Sequence, residues 1–209
     1  MKIIFIGRGS GLNLKENNTN ILILDGINHI LLDCGITCPQ AFYRLGIKPE
    51  TISNIAISHL HSDHVGGLEI FAWINYINGG KLNVFSQVDV EQYLTPSMGH
   101  YIHKAINFFK DSDNIKFIET NHVDNMKSYG YIIKNILFTM DTKDVMTGDY
   151  DFIFHDCAYK KSETHACLED LRTLPEKTRK KIWLMHLHDA DYGDVSDFGG
   201  LVTEGLWKP

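Results

Sequence analysis

The chain has 209 residues, 44% of them hydrophobic and 22% charged, with a formal net charge of −6. That is ordinary globular composition, long enough for a substantial core, and the acidic balance argues against a protein that grips long nucleic acid mainly by electrostatics. No run approaches the ~18–20 apolar residues of a membrane span. The opening run Ile3-Ile4-Phe5-Ile6 is too short for a signal-peptide core, so a cytoplasmic location is expected. Cys34, Cys38, Cys157 and Cys167 form no C-x-x-C pair and read as reduced thiols.

In chain order, the first third reads as strands. Lys2–Ile6 leads into the glycine-rich Gly7–Gly11. Ile21–Leu24 and His29–Leu32 flank Asp25-Gly26, the pattern of a hairpin. Gly7-x-Gly9 lacks the third glycine and the helix of a dinucleotide fingerprint. Pro39–Leu45 reads as a short helix stopped by Gly46, and Thr51–Ser58 leads into a histidine array. Gly67–Tyr76 is helical by its apolar spacing, and Lys81–Phe85 is a strand. Residues 88–109 are expected to be helical, with Tyr93, Tyr101, Phe108 and Phe109 as packing or base-stacking aromatics. Strands follow at Ile115–Ile118, Tyr129–Ile133, Ile136–Thr139, Asp151–Phe154 and Lys181–Met185, with Lys134-Asn135 a two-residue turn and Leu168–Leu174 a helix. The basic residues Arg172 to Lys181 read as a solvated helix end or loop. Two strand clusters with helices between them predict a layered α/β sandwich, one domain over residues 1–209.

The most informative segment is His59-Leu60-His61-Ser62-Asp63-His64. Along extended backbone His59 and His61 fall on the same side, while Asp63 and His64 project from a turn where a helix can begin. Imidazoles and carboxylates suit zinc or another borderline divalent metal. Four such groups in six residues exceed what one tetrahedral ion with an open position needs, so two adjacent ions are expected, each with further ligands. His122, Asp141 and His186 each stand just past an apolar strand, where a loop projects the side chain from the sheet edge.

With these residues in place the chain resembles the metallo-β-lactamase superfamily over its whole length. The resemblance implies the αββα four-layer sandwich, with one ion on His59, His61 and His122, another on Asp63, His64 and His186, and Asp141 bridging them. Phe138-Thr139-Met140-Asp141-Thr142, Phe154-His155-Asp156-Cys157 and Glu163-Thr164-His165-Ala166 are similar to the tRNase Z-like phosphodiesterase branch. In that branch an acidic residue and a later histidine form a proton relay. Asp156 and His165 occupy the matching positions, with Asp replacing the usual Glu, and Asp63 joins them as a candidate in the reaction as well as in the ligand set. The tail from Lys181 to Leu187, with Phe198-Gly199-Gly200 after it, is similar to compact members such as the phage anti-Pycsar proteins, which hydrolyse cyclic mononucleotides.

One departure from tRNase Z is plain: no long Gly/Pro- and Lys-rich arm exists to clamp tRNA. Residues 142–150 are a short link, and residues 86–118 hold one Pro and one Gly. The resemblance therefore implies a metal-dependent phosphodiesterase with two divalent ions, zinc first and manganese admitted by the same donors. The expected substrate is a cyclic mononucleotide or another small phosphodiester. tRNA 3′ processing ranks second; hydrolysis of lactams, lactones or thioesters is weaker because it leaves Asp156 and His165 unexplained, and a silent nucleotide-binding module is the alternative of a different class. A homodimer is implied by the resemblance alone. His188, two residues past His186, is a neighbour of the site or simply exposed.

Overall fold

The computed structural model describes residues 1–208. Two mixed sheets stack face to face. Sheet one is formed by β1 (Lys2–Gly7), β2 (Asn20–Asp25), β3 (Asn28–Leu32), β4 (Asn54–Ile57), β5 (Leu82–Ser86), β6 (Ile106–Phe109) and β13 (Gly205–Leu206), in the order β13-β1-β2-β3-β4-β5-β6. Sheet two is formed by β7 (Lys116–Thr120), β8 (Ser128–Ile133), β9 (Ile136–Phe138), β10 (Phe152–Asp156), β11 (Ile182–Met185) and β12 (Gly200–Leu201), in the order β12-β11-β10-β9-β8-β7. Helices α1 (Cys38–Arg44), α3 (Leu68–Ile77), α4 (Val90–Met98) and α5 (Ile102–Ala105) supply apolar residues to sheet one, and α6 (Leu168–Arg172) supplies them to sheet two.

Side-chain alternation builds the layers. On β1, Ile3 and Phe5 join the core between the sheets, whereas Ile6 joins the core under α1 and α3. β2 divides likewise: Ile21 and Ile23 face the second sheet and Leu22 the helices. The inter-sheet core is aromatic. Phe154 lies 5.2 Å from Phe5 and stacks at 5.0 Å on Phe138, and Trp207 closes the edge 5.0 Å from Phe154. Each fully buried ring of this kind is worth roughly 1.5–3 kcal/mol. A third apolar cluster lies between sheet two and α6. Three apolar layers separating helix, sheet, sheet and helix make the αββα sandwich that the resemblance implied.

Two expectations needed correction. Residues 106–109 are the edge strand β6, paired parallel with β5, not the end of a helix. Phe109 stacks on Phe85 at 5.2 Å, and Tyr101 packs on Trp73 at 5.5 Å. The first hairpin turns on Gly26-Ile27, one residue later than expected, since Asp25 pairs with Asn28. Finally, the short helices α2 (Ser62–Val65) and α7 (Glu176–Arg179) and the two-residue strands β12 and β13 add to the reading. No helix among the described residues is long and apolar enough to cross a membrane.

Strand direction positions the site. β3 and β4 run parallel, as do β9, β10 and β11, so their C-terminal ends gather at one rim of the sandwich. There Asp33, Met140 and His186 adopt left-handed backbone, with φ of 58°, 48° and 56°. Non-glycine residues seldom accept this conformation, and surrounding structure must hold it.

Candidate metal centre

The sequence-distant candidates converge at that rim. His59 follows β4, and His61 caps the N-terminus of α2, which carries Asp63 and His64. His122 follows β7, Asp141 lies three residues past the end of β9, and His186 follows β11. Two glycines allow the approach. A Cβ on Gly35 would fall 2.0 Å from the carbonyl oxygen of Asp63, and one on Gly11 would meet the Asp63 carboxylate at 2.8 Å.

Two donor groups form the centre, each with its ligand atoms within 4.8 Å of one another: His59, His61, His122 and Asp141, and Asp63, His64, His186 and Asp141; a third, Asp141, Asp156, His165 and His186, overlaps the second. In the first, His59 Nε2 and His122 Nε2 lie 3.1 and 3.2 Å from His61 Nδ1. In the second, Asp63 Oδ2 lies 3.3 Å from His64 Nε2 and 3.2 Å from His186 Nε2. Asp141 belongs to both. Its Oδ2 lies 3.4 Å from His122 Nε2, while its Oδ1 lies 3.2 Å from His64 Nε2 and 3.3 Å from His186 Nε2.

The donor set fits divalent metal. His64 Nε2 and Asp141 Oδ1 are buried, face each other, and have no hydrogen-bond partner. Two acceptors in that position repel unless a cation stands between them. Burial opposes charge on His64 and His186, but the carboxylates outweigh it, Asp141 foremost, and hold both pKa values up, His186 at about 10. A proton thus supplies the positive charge that a metal ion would replace. The three-histidine half differs: burial keeps His59, His61 and His122 neutral, the form that coordinates metal.

Asp156, at the end of β10, lies behind the second group. Its Oδ2 accepts from His165 Nδ1 at 2.7 Å and from Thr142 N at 3.1 Å, and its Oδ1 approaches His186 Nδ1 at 3.3 Å. His165 stacks on His186 at 5.1 Å between centroids. Burial lowers the His165 pKa, but the Asp156 hydrogen bond and charge outweigh it and raise the net value. His188 is half-buried with its ring 6.1 Å from that of His165, and burial pushes its pKa down.

Sequence reasoning missed the groups that hold these candidate ligands. Asp33, fully buried, accepts from Ser58 N and Oγ and from Tyr131 Oη, and faces His64 Nδ1 at 2.6 Å. Thr164 O accepts from His122 Nδ1 at 2.8 Å. The one signal in sequence was Asp33, a carboxylate ending an apolar strand. Cys34 and Cys38 are buried free thiols outside both donor groups. His103 is exposed beside Glu91.

Fold and donor arrangement together define a metallo-β-lactamase fold protein. The chain superposes on the metallo-β-lactamase fold protein YhfI from Bacillus subtilis with a TM-score of 0.76, at 17% identity, covering 99% of this chain and 98% of that one. Human tRNase Z, short form, gives 0.72 at 15% identity, covering 98% and 96%. The model of the family described as anti-Pycsar protein Apyc1 matches residues 1–98 and 73–205, and the chain belongs to that family. Among its relatives are the Apyc1 of Paenibacillus harenae, 32% identical over 94% of this chain and 92% of that protein, and the Apyc1 of Bacillus phage vB_BsuM-Goe3, 29% identical over 95% and 92%.

Proposed function

We propose that the protein is a dinuclear metal-dependent phosphodiesterase that opens cyclic nucleotides to linear nucleoside monophosphates. The observation that carries this reading is Asp141, whose two oxygens face two separate donor groups, with the Asp156–His165 pair immediately beside them. His59, His61 and His122 would hold one ion, and Asp63, His64 and His186 the other, with Asp141 touching both. Such ions supply Lewis acidity at phosphoryl oxygens and acidify water at neutral pH.

The chain's own residues do the rest. Asp156 fixes the His165 ring through Nδ1. The raised pKa of His165 keeps a proton available near neutrality, and His165 donates it to the departing 3′-oxygen. Asp63 Oδ2 sits against His64 Nε2 and His186 Nε2 and completes the second donor group. The acidic net charge does not forbid an anionic substrate, because bound ions would dominate the local field. Membership of the anti-Pycsar family supports the small cyclic substrate, and zinc is the first expectation for the ions. The test is hydrolysis of a panel of 2′,3′- and 3′,5′-cyclic nucleotides, with zinc or manganese supplied, beside a tRNA precursor. Cleavage of the precursor alone would overturn the reading in favour of tRNA processing.

A further inference from the structure

We infer that Asp33, Ser58 and Tyr131 form one positioning unit that fixes which ring nitrogen of His59 and of His64 carries the proton. It thereby prepares one ligand for each of two ions. The inference rests on the metal-centre reading for its consequence, but not for its geometry.

Proton bookkeeping carries it. Asp33 Oδ1 accepts from Ser58 N at 2.7 Å and from the Tyr131 hydroxyl at 2.8 Å. Asp33 Oδ2 accepts from the Ser58 hydroxyl at 2.7 Å and lies 2.6 Å from His64 Nδ1. A carboxylate oxygen accepts, so His64 donates through Nδ1 and turns Nε2, the nitrogen a metal ion would take in place of a proton, toward Asp141 and Asp63. Ser58 has a single hydroxyl proton, and Asp33 takes it. Ser58 Oγ is therefore left as an acceptor for His59 Nδ1 at 2.9 Å. His59 in turn is protonated on Nδ1 and presents a bare Nε2 to His61 and His122. One carboxylate sets two tautomers, directly on the Asp63 side and through a hydroxyl relay on the three-histidine side.

Burial makes the setting firm. Asp33, Ser58, His59, His64 and Tyr131 are each 0% exposed, so no bulk water offers the rings an alternative partner. Asp33 is held in left-handed backbone at φ 58°. Tyr131 reaches it from β8 of the opposite sheet, so the unit also ties the two sheets together directly behind the donor groups. Partners that fix ligand tautomers in this way are typically worth about 10–100-fold in metal affinity.

The test combines nitrogen-15 NMR of the labelled histidines in the full chain with zinc titration against a chelator, following which histidine signals report each ion. Without metal, His59 and His64 should both be protonated on Nδ1. Ser58→Ala should let His59 populate both tautomers and weaken the ion bound by His59, His61 and His122 by about 10–100-fold, with a much smaller effect on the other ion. Ser58→Thr, which keeps the hydroxyl, should restore the parent behaviour. Tyr131→Phe should weaken zinc binding in the parent and do nothing further in an Asp33→Asn background, because it acts only through Asp33. Nε2-protonated His59 in the parent would overturn the inference, and so would equal or absent losses at both ions in Ser58→Ala. If the chain held fewer than two ions, the metal reading would fail, while the tautomers of the metal-free chain would still decide this proposal.

Discussion

His64 Nε2 and Asp141 Oδ1 lie 3.2 Å apart, buried, and neither has a hydrogen-bond partner. Asp141 turns its other oxygen toward His122. A residue serving both donor groups should matter to both ions. Asp141→Ala should reduce the metal content of gently purified protein from about two ions per chain to one or none, while His188→Ala should leave it unchanged. The measurement is elemental analysis against protein concentration. Parent protein that binds at most one ion in excess zinc or manganese would exclude a dinuclear centre.

Substrate size should show in salt dependence. A single small phosphodiester displaces few counterions, so kcat/KM should fall only shallowly between 50 and 200 mM salt, conditions in which a protein making many RNA phosphate contacts loses about 10³–10⁵ in affinity. The chain offers no basic arm to make such contacts: residues 142–150 remain a short link that bonds back to Asn121 through Lys143 N. A steep salt slope with efficient tRNA precursor cleavage would reverse the ranking of substrates.

Much of the candidate site was legible because metal ligation would demand particular residue types at strand ends, and those types stand out in sequence. His59 to His64 lie in one local segment, and His122, Asp141 and His186 each follow an apolar run. The supporting groups left no such mark. Tyr131 reads as one more apolar strand residue, and its bond to Asp33 joins positions 98 residues apart. Thr164 acts through its backbone carbonyl, which any residue supplies. In the fold, β6 was missed because no Gly or Pro separates Ile106–Phe109 from the helical residues Ile102–Ala105 before it. Its strand state comes from pairing with β5 and from Asn107 bonding Asn83 at 3.0 Å, both tertiary effects. β12 and β13 are too short to carry a period.

Metal uptake should depend on pH with a definite sign. In the metal-free chain the His186 pKa is raised to about 10 from an ordinary 6.5: burial opposes this, and Asp141, Asp156 and Asp63 outweigh it. A raised histidine contributes stability that is fully present below about 6.5 and is lost as pH rises through about 10. The metal-free protein should therefore lose this contribution over that window. Zinc must displace the same proton, so affinity should increase with pH across it, with proton release on binding. Calorimetric titrations in buffers of different ionisation enthalpy read the protons directly. Affinity independent of pH between 6.5 and 9 would mean that His186 is neutral before metal binds.

The Asp156–His165 pair separates chemistry from metal binding. His165 is fixed by Asp156 through Nδ1 and shares a third possible donor group with Asp141, Asp156 and His186, but neither proposed ion needs it, so His165→Ala should leave fold and metal content intact. It should reduce turnover of a natural cyclic nucleotide by about 10²–10⁴-fold, the usual worth of a positioned general acid. The loss should shrink for bis(p-nitrophenyl) phosphate, whose leaving group scarcely needs a proton. Because the His165 pKa is raised, its proton is retained through neutrality, and the parent's kcat should decline as pH rises through that raised value. His165→Ala should lose this alkaline limb. Asp156→Asn should show the same pattern more mildly, since it orients His165, and the double variant should be little worse than His165→Ala, as expected for two residues acting as one unit. Wild-type turnover of the natural substrate by His165→Ala, with chemistry shown to limit the rate, would remove His165 from the mechanism. His188, with its ring 6.1 Å from that of His165, would then be the next donor to test.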